Sequence, residues 1–180
     1  MLSKQILTKM NMLAQSQRMF STNINKLGVV GAGQMGTGIG IVASRVASMP
    51  VAFVDPSEKQ LEMSQKMISK WRDKEIGKER MTEEDKKGII GRITYHEKIT
   101  SLTDVDFVVE AASENFKLKK MIFENLAAVT PGHAILATNT SSISITKLAG
   151  VIPDRAHQVI GMHFMNPVPV MKLIEVIKGL

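Results

Sequence analysis

His163 closes an apolar run, Val159–His163, and Glu175 stands in an alternating segment where Met171, Leu173, Glu175 and Ile177 share one face. An ionised glutamate among apolar neighbours is costly unless something pairs with it, and the histidine is the obvious partner. Between them lies NPVPV, Asn166–Val170, whose prolines suit a rigid return. A His/Glu pair fits alcohol oxidation: the imidazole takes the hydroxyl proton while the carboxylate orients it and stabilises the imidazolium. By residue pattern alone, a hydrogen-bonded core histidine and an unrelated edge-strand glutamate explain the same letters.

A second constellation lies near the other end of the chain. In KLGVVGAGQMG, Lys26–Gly36, the residues Gly31, Gly33 and Gly36 fall at GxGxxG spacing after a strand-like run and before a helix-like segment. The first glycine makes a tight turn, the second lets backbone approach a pyrophosphate, and the third allows close helix–strand packing. Phosphates then meet the helix N-terminus. Gln34 and Met35, inside the motif, join the glycines as candidate cofactor contacts. PVAFVD ends in Asp55, about 20 residues beyond the glycines, where a carboxylate accepts hydrogen bonds from ribose hydroxyls and repels a 2′-phosphate. Pro56 and Ser57 bring no positive charge, so NAD is favoured over NADP. Capping of the following helix is the alternative role for Asp55. TNTSS, Thr138–Ser142, follows a strand and offers hydroxyls either to a nicotinamide ribose or substrate oxygen, or to the cap of the next helix. Lys66, Lys70, Arg72, Lys74, Lys78 and Arg80 are interleaved with Asp73, Glu75 and Glu79. This pattern suits a solvated, ion-paired helix or a landing site for coenzyme A phosphates.

These residues need a frame. Strand-like runs alternate with helix-like segments, which predicts a doubly wound, mainly parallel α/β sheet of Rossmann type with a helical insertion between Ser57 and Gly91. Helices are expected over Met35–Ser48, from Ser57 to about Glu75, from an N-cap at Thr82 to about Gly91, over Phe116–Val129 and over Ile145–Gly150. Strands are expected at Pro50–Asp55, Arg92–His96, Asp106–Ala111, Ala134–Thr138, Val159–His163 and, last, Val170–Ile177. The 180 residues, 44% apolar and 22% charged, suit one such domain.

Cysteine is absent, which excludes disulfides and thiolate metal sites. No apolar run reaches membrane-spanning length. No acidic residue precedes Asp55, while Lys4, Lys9 and Arg18 accompany Leu2, Ile6, Leu7, Met10 and Leu13 at helical spacing. This pattern predicts a mitochondrial transit peptide over residues 1–20, cleaved after Phe20, ahead of a domain at 21–180 in the matrix. Without those three basic residues the chain has 20 basic against 17 acidic side chains, so its +6 charge gives no argument for nucleic acid.

Taken together, VVGAGQMGTGIG, VVEAASEN, ATNTSS and MHFMNPVPVMKLIEV resemble the short-chain L-3-hydroxyacyl-CoA dehydrogenases of fatty-acid β-oxidation, from about Lys26 to Lys178. The resemblance implies an NAD enzyme that oxidises 3-hydroxyacyl-CoA to 3-ketoacyl-CoA. It makes His163 the general base and Glu175 its partner. It also implies that Ser141 contacts the substrate 3-oxygen and the cofactor, that Asn166 lies near nicotinamide, that Glu114 and Lys119 form a cofactor-contacting pair, and that Lys78 meets coenzyme A. The related β-hydroxyacid dehydrogenases usually rely on a later lysine, and the His/Glu motif argues against them. Members of the resembled family continue into an all-helical domain that closes the cleft and makes the dimer, whereas this sequence stops at Leu180. A homo-oligomer, a separate helical-domain partner, or a non-catalytic Rossmann subunit are the expectations that follow. Met165 stands where an aromatic residue is usual.

Overall fold

The computed structural model describes residues 24–180, so the transit-peptide expectation at 1–20 lies outside the described residues. Seven strands form one sheet: β1 Leu27–Val30, β2 Val51–Val54, β3 Ile93–His96, β4 Phe107–Glu110, β5 Ile135–Thr138, β6 Val159–Phe164 and β7 Ile174–Lys178. Their spatial order is β3-β2-β1-β4-β5-β6-β7. The first six are parallel, and β7 runs antiparallel to β6. The winding reverses between β1 and β4, the switch point where open α/β sheets bind ligands at the carboxyl ends of their strands.

Apolar runs create this frame. LGVV, VAFV and FVVE are buried along their whole length, as strands covered on both faces must be. Alternation then sorts the side chains, with Val29 and Phe53 joining one core layer and Val30, Ala52 and Val54 the other. The first layer is closed by α1, Gln34–Val46, and α2, Glu58–Ile76, through Ile39, Ile41, Leu61 and Ile68. Helices α4, Phe116–Val129, and α5, Ile145–Ala149, close the second through Phe123, Leu126, Ile145 and Leu148. Small residues let α1 sit close to the sheet, because a Cβ on Gly40 would lie 2.1 Å from the Phe53 ring. Ser57 caps α2, and Thr82 opens α3, Glu83–Arg92, in a reciprocal capping box with Asp85.

One expected element is corrected. The last strand begins at Ile174 and not at Val170, because Val170 and Met171 donate their backbone N–H groups to Pro167 O at 2.9 and 3.0 Å and complete a turn. β7 also lies at the sheet edge with every residue exposed, so Glu175 is not an ion buried among apolar neighbours.

At the amino ends of the central strands, just before β4, Asp106 ties the entering chain to the sheet. Its Oδ2 accepts from the backbone N–H groups of Asn25 and Lys26 at 2.8 and 3.1 Å, and its Oδ1 lies 2.9 Å from His133 Nε2. Partial burial would raise this carboxyl, but the bond from His133, the two backbone donors and the His133 charge together hold it below its ordinary value. A depressed carboxylate stabilises the fold above its unfolded pKa and loses that contribution as pH falls through its folded pKa. Wild type should therefore melt above Asp106→Asn at neutral pH, and the gap should close below about pH 4 in melting curves followed by circular dichroism.

Candidate active site

The glycine loop leaves β1 at Gly31, whose φ of 99° lies in the left-handed region. A Cβ there would stand 2.8 Å from the Ala111 carbonyl, and one on Gly36 would stand 1.9 Å from Gly31 O. Gly33 differs, since its nearest neighbour would be Gln60 Nε2 at 3.9 Å. Its missing side chain opens space on the ligand side. Gly33 also begins α1 without a side-chain cap, and the first turn holds no acid, so the leading N–H groups are left for an anion. Gly36→Ala should therefore lose about 1–3 kcal/mol of stability through overpacking. Gly33→Ala should stay within about 0.5 kcal/mol of wild type yet weaken NADH binding about tenfold. Urea unfolding and NADH fluorescence titration read the two effects separately.

A cavity of about 500 Å³ opens beside this loop, lined by Gly31, Gly33, Asp55, Gln60, Ala111 and Ile122 among others. Asp55 is placed beside both features expected of it, although the cap of α2 itself is Ser57. It lines the cavity, while its Oδ2 accepts from Ala32 N and its Oδ1 from Ser57 N, each at 2.9 Å. The carboxylate thus stitches the glycine loop to the start of α2.

Across the switch point lies a second cavity of about 340 Å³, and Ala111 and Ala112 line both. Met35, Glu114, Asn139, Ser141, His163 and Asn166 form much of its wall. His163 on β6 faces Glu175 on β7 in direct antiparallel register, which puts both side chains on one face of the sheet. His163 Nδ1 and Glu175 Oε2 are 2.8 Å apart. Burial does not force this pairing, since the Glu175 side chain is 51% exposed. Strand register does. With Nδ1–H directed at the carboxylate, Nε2 keeps the lone pair that can take a proton. Gln34 Nε2 donates to Asn166 Oδ1 at 3.1 Å, joining the start of α1 to the loop after β6.

TNTSS divides its roles. Asn139 Oδ1 accepts from Phe164 N at 2.8 Å, Thr140 Oγ1 accepts from Ile143 N at 3.0 Å, and Ser141 is on the cavity wall. The cap of α5 is Ser144. Glu114 gathers the loop by accepting from the Thr140 and Ser142 hydroxyls and from Ser141 N. Burial pushes its carboxyl up, but these hydroxyl bonds, the Lys119 charge and the Ser141 N–H bring it below its ordinary value. It stays ionised.

Lys119 is placed differently from the cofactor contact implied by resemblance. Its side chain is wholly buried, with Nζ 2.8 Å from both carboxylate oxygens of Glu110, 3.2 Å from Ala112 O and 3.6 Å from Glu114 Oε2. It therefore acts from beneath the site. Glu110, which sequence reasoning missed, also accepts from Ala112 N at 2.7 Å and Thr138 Oγ1 at 2.6 Å. The available signal was an acid ending the buried run FVVE. Lys78 lies between α2 and α3 and lines neither cavity.

Two neighbouring cavities that share Ala111 and Ala112 at a Rossmann switch point, an uncapped helix start and a His–Glu pair define a dinucleotide-dependent dehydrogenase domain. Comparison with known proteins gives the family. The model for the NAD-binding domain of 3-hydroxyacyl-CoA dehydrogenase matches residues 26–180, and the chain belongs to that family, with NAD as its cofactor. A 3-hydroxybutyryl-CoA dehydrogenase of Bradyrhizobium diazoefficiens is 45% identical over 157 residues, covering 87% of this chain and 53% of that enzyme. The human peroxisomal bifunctional enzyme is 42% identical over 154 residues, covering 86% and 21% respectively. The crystal structure of (S)-3-hydroxybutyryl-CoA dehydrogenase PaaH1 from Ralstonia eutropha superposes with a TM-score of 0.84 at 44% identity, covering 88% of this chain and 55% of that one. The chain thus spans about half the length of the 3-hydroxybutyryl-CoA dehydrogenases it matches.

Proposed function

We propose that this chain carries the cofactor-binding and proton-abstracting part of an L-3-hydroxyacyl-CoA dehydrogenase that forms 3-ketoacyl-CoA in fatty-acid β-oxidation. One observation carries the proposal: His163 Nδ1 lies 2.8 Å from Glu175 Oε2, on the wall of the cavity shared by Ser141 and Asn166. NAD, when bound, supplies the hydride acceptor. His163 Nε2 takes the proton of the 3-hydroxyl, and Glu175 stabilises the imidazolium that results. Ser141 Oγ hydrogen-bonds the 3-oxygen as negative charge develops on it. The basic, acid-free leader supports a mitochondrial matrix address. In the test, the chain is mixed with NADH and acetoacetyl-CoA while NADH absorbance is followed. Turnover is expected, and binding of NADH without turnover removes independent catalysis.

A second reading is a nucleotide-binding subunit that turns over only with a separate helical partner. It is favoured by Val170, Leu173 and Val176, which stand 71%, 57% and 67% exposed beside the site loop. Turnover that appears only when a relative's helical half is supplied in trans would select it.

A further inference from the structure

Two carboxylates, Asp55 and Glu97, line the larger cavity, and only Asp55 has been given a role. Glu97 follows β3, and its neighbour His96 pairs with Val54 in the parallel ladder. His96 O also accepts from Asp55 N at 3.1 Å. That bond brings Glu97 and Asp55 to adjacent strand ends, on strands about 4.8 Å apart. Both line the cavity, together with Gln60 and Pro56. Asp55 spends one acceptor site of each oxygen on Ala32 N and Ser57 N. Glu97 is exposed, and its carboxylate accepts no hydrogen bond among the described residues. Among the described residues no Lys, Arg or His lines this cavity, and Lys98, next in the chain, stands outside its wall.

We propose that Glu97 is a cofactor-specificity residue, whose carboxylate beside Asp55 accepts from the adenosine ribose and discriminates against a ribose phosphate. This rests on the assignment of the larger cavity to the adenosine half of NAD. The lining agrees: Val54, Ile99, Leu118 and Ile122 offer apolar surface to a flat base, and Asp55, Gln60 and Glu97 offer polar groups to a ribose. A doubly charged phosphate about 6 Å from one carboxylate loses about tenfold in affinity at the dielectric of water. The penalty weakens as salt shortens the screening length.

Direct binding of NADH and NADPH to the whole chain, followed by nucleotide fluorescence, tests the proposal without need of turnover. Glu97→Gln should raise NADPH affinity about tenfold at low salt and alter NADH affinity by less than about threefold, since the amide oxygen still accepts. Glu97→Lys should narrow the preference for NADH further, and high salt should shrink both effects. An unchanged ratio of the two affinities in both variants, with NADH binding intact, overturns the role of Glu97 alone. Equal weakening of both nucleotides overturns it too, because the side chain then only shapes the pocket. A wild-type chain that binds neither nucleotide overturns the cavity assignment with it.

Discussion

His163→Gln is expected to lower kcat for acetoacetyl-CoA reduction by about a thousandfold, while NADH affinity measured by fluorescence stays within about threefold of wild type. The split follows from placement. His163 lies on the smaller cavity, whereas the glycine loop that receives the phosphates borders the larger one. Glutamine keeps a polar group facing Glu175 but has no nitrogen lone pair that can carry a proton at neutral pH. Proton transfer to and from the 3-oxygen is then left to water. Glu175→Gln should cost less, about 10–100-fold, because it leaves the imidazole in place and removes only the group that orients it and stabilises its charge. Half of the Glu175 side chain is open to solvent, so the fold should tolerate its replacement. Steady-state kinetics settle the matter. Activity of His163→Gln near the wild-type level would exclude this histidine as the base.

The fold was legible wherever burial leaves a pattern in the chain. LGVV, VAFV and FVVE read as strands because both of their faces are covered. Asn115 and Pro131 bracket Phe116–Val129 as chemistry requires, one supplying a cap to Leu118 N and the other ending the turn beyond Thr130. Legibility fails at the sheet edge, where the alternation of Met171, Leu173, Glu175 and Ile177 records no buried face. There the proline turn, and not periodicity, sets where β7 begins.

The site divides in the same way. Gly31, Gly33 and Gly36 announce themselves because backbone conformation and close approach demand glycine at fixed spacing. The His163–Glu175 pair rests on antiparallel register, which residue pattern suggested only weakly and the family motif supplied. Glu110 escaped notice because its partner, Lys119, belongs to the next helix. A lysine on an amphipathic helix ordinarily reads as solvated. Nothing in the linear pattern says that this one turns inward.

Lys119→Met should destabilise the domain by about 3–5 kcal/mol, because it removes the cation that, among the described residues, alone pairs with a wholly buried carboxylate. That is a large share of the roughly 5–15 kcal/mol that holds an ordinary domain together. The methionine itself fits the volume, so the loss comes from the charge left on Glu110. Adding Glu110→Gln should therefore restore most of the stability, since a neutral amide oxygen can still accept from Ala112 N or Thr138 Oγ1. Urea unfolding of the two single variants and the double variant closes a thermodynamic cycle in which the double is more stable than Lys119→Met alone. A merely structural pair would end there. In this fold Lys119 also holds Ala112 O and lies 3.6 Å from Glu114, so Ala112, between the two cavities, and the Ser141 loop both depend on it. The refolded double variant should consequently bind NADH more weakly than wild type, because recovered stability does not replace the ammonium that anchors Ala112 and Glu114. Stability of Lys119→Met within about 1 kcal/mol of wild type would mean that Glu110 is not held as a charged group, and the lysine would then have no role in setting the site.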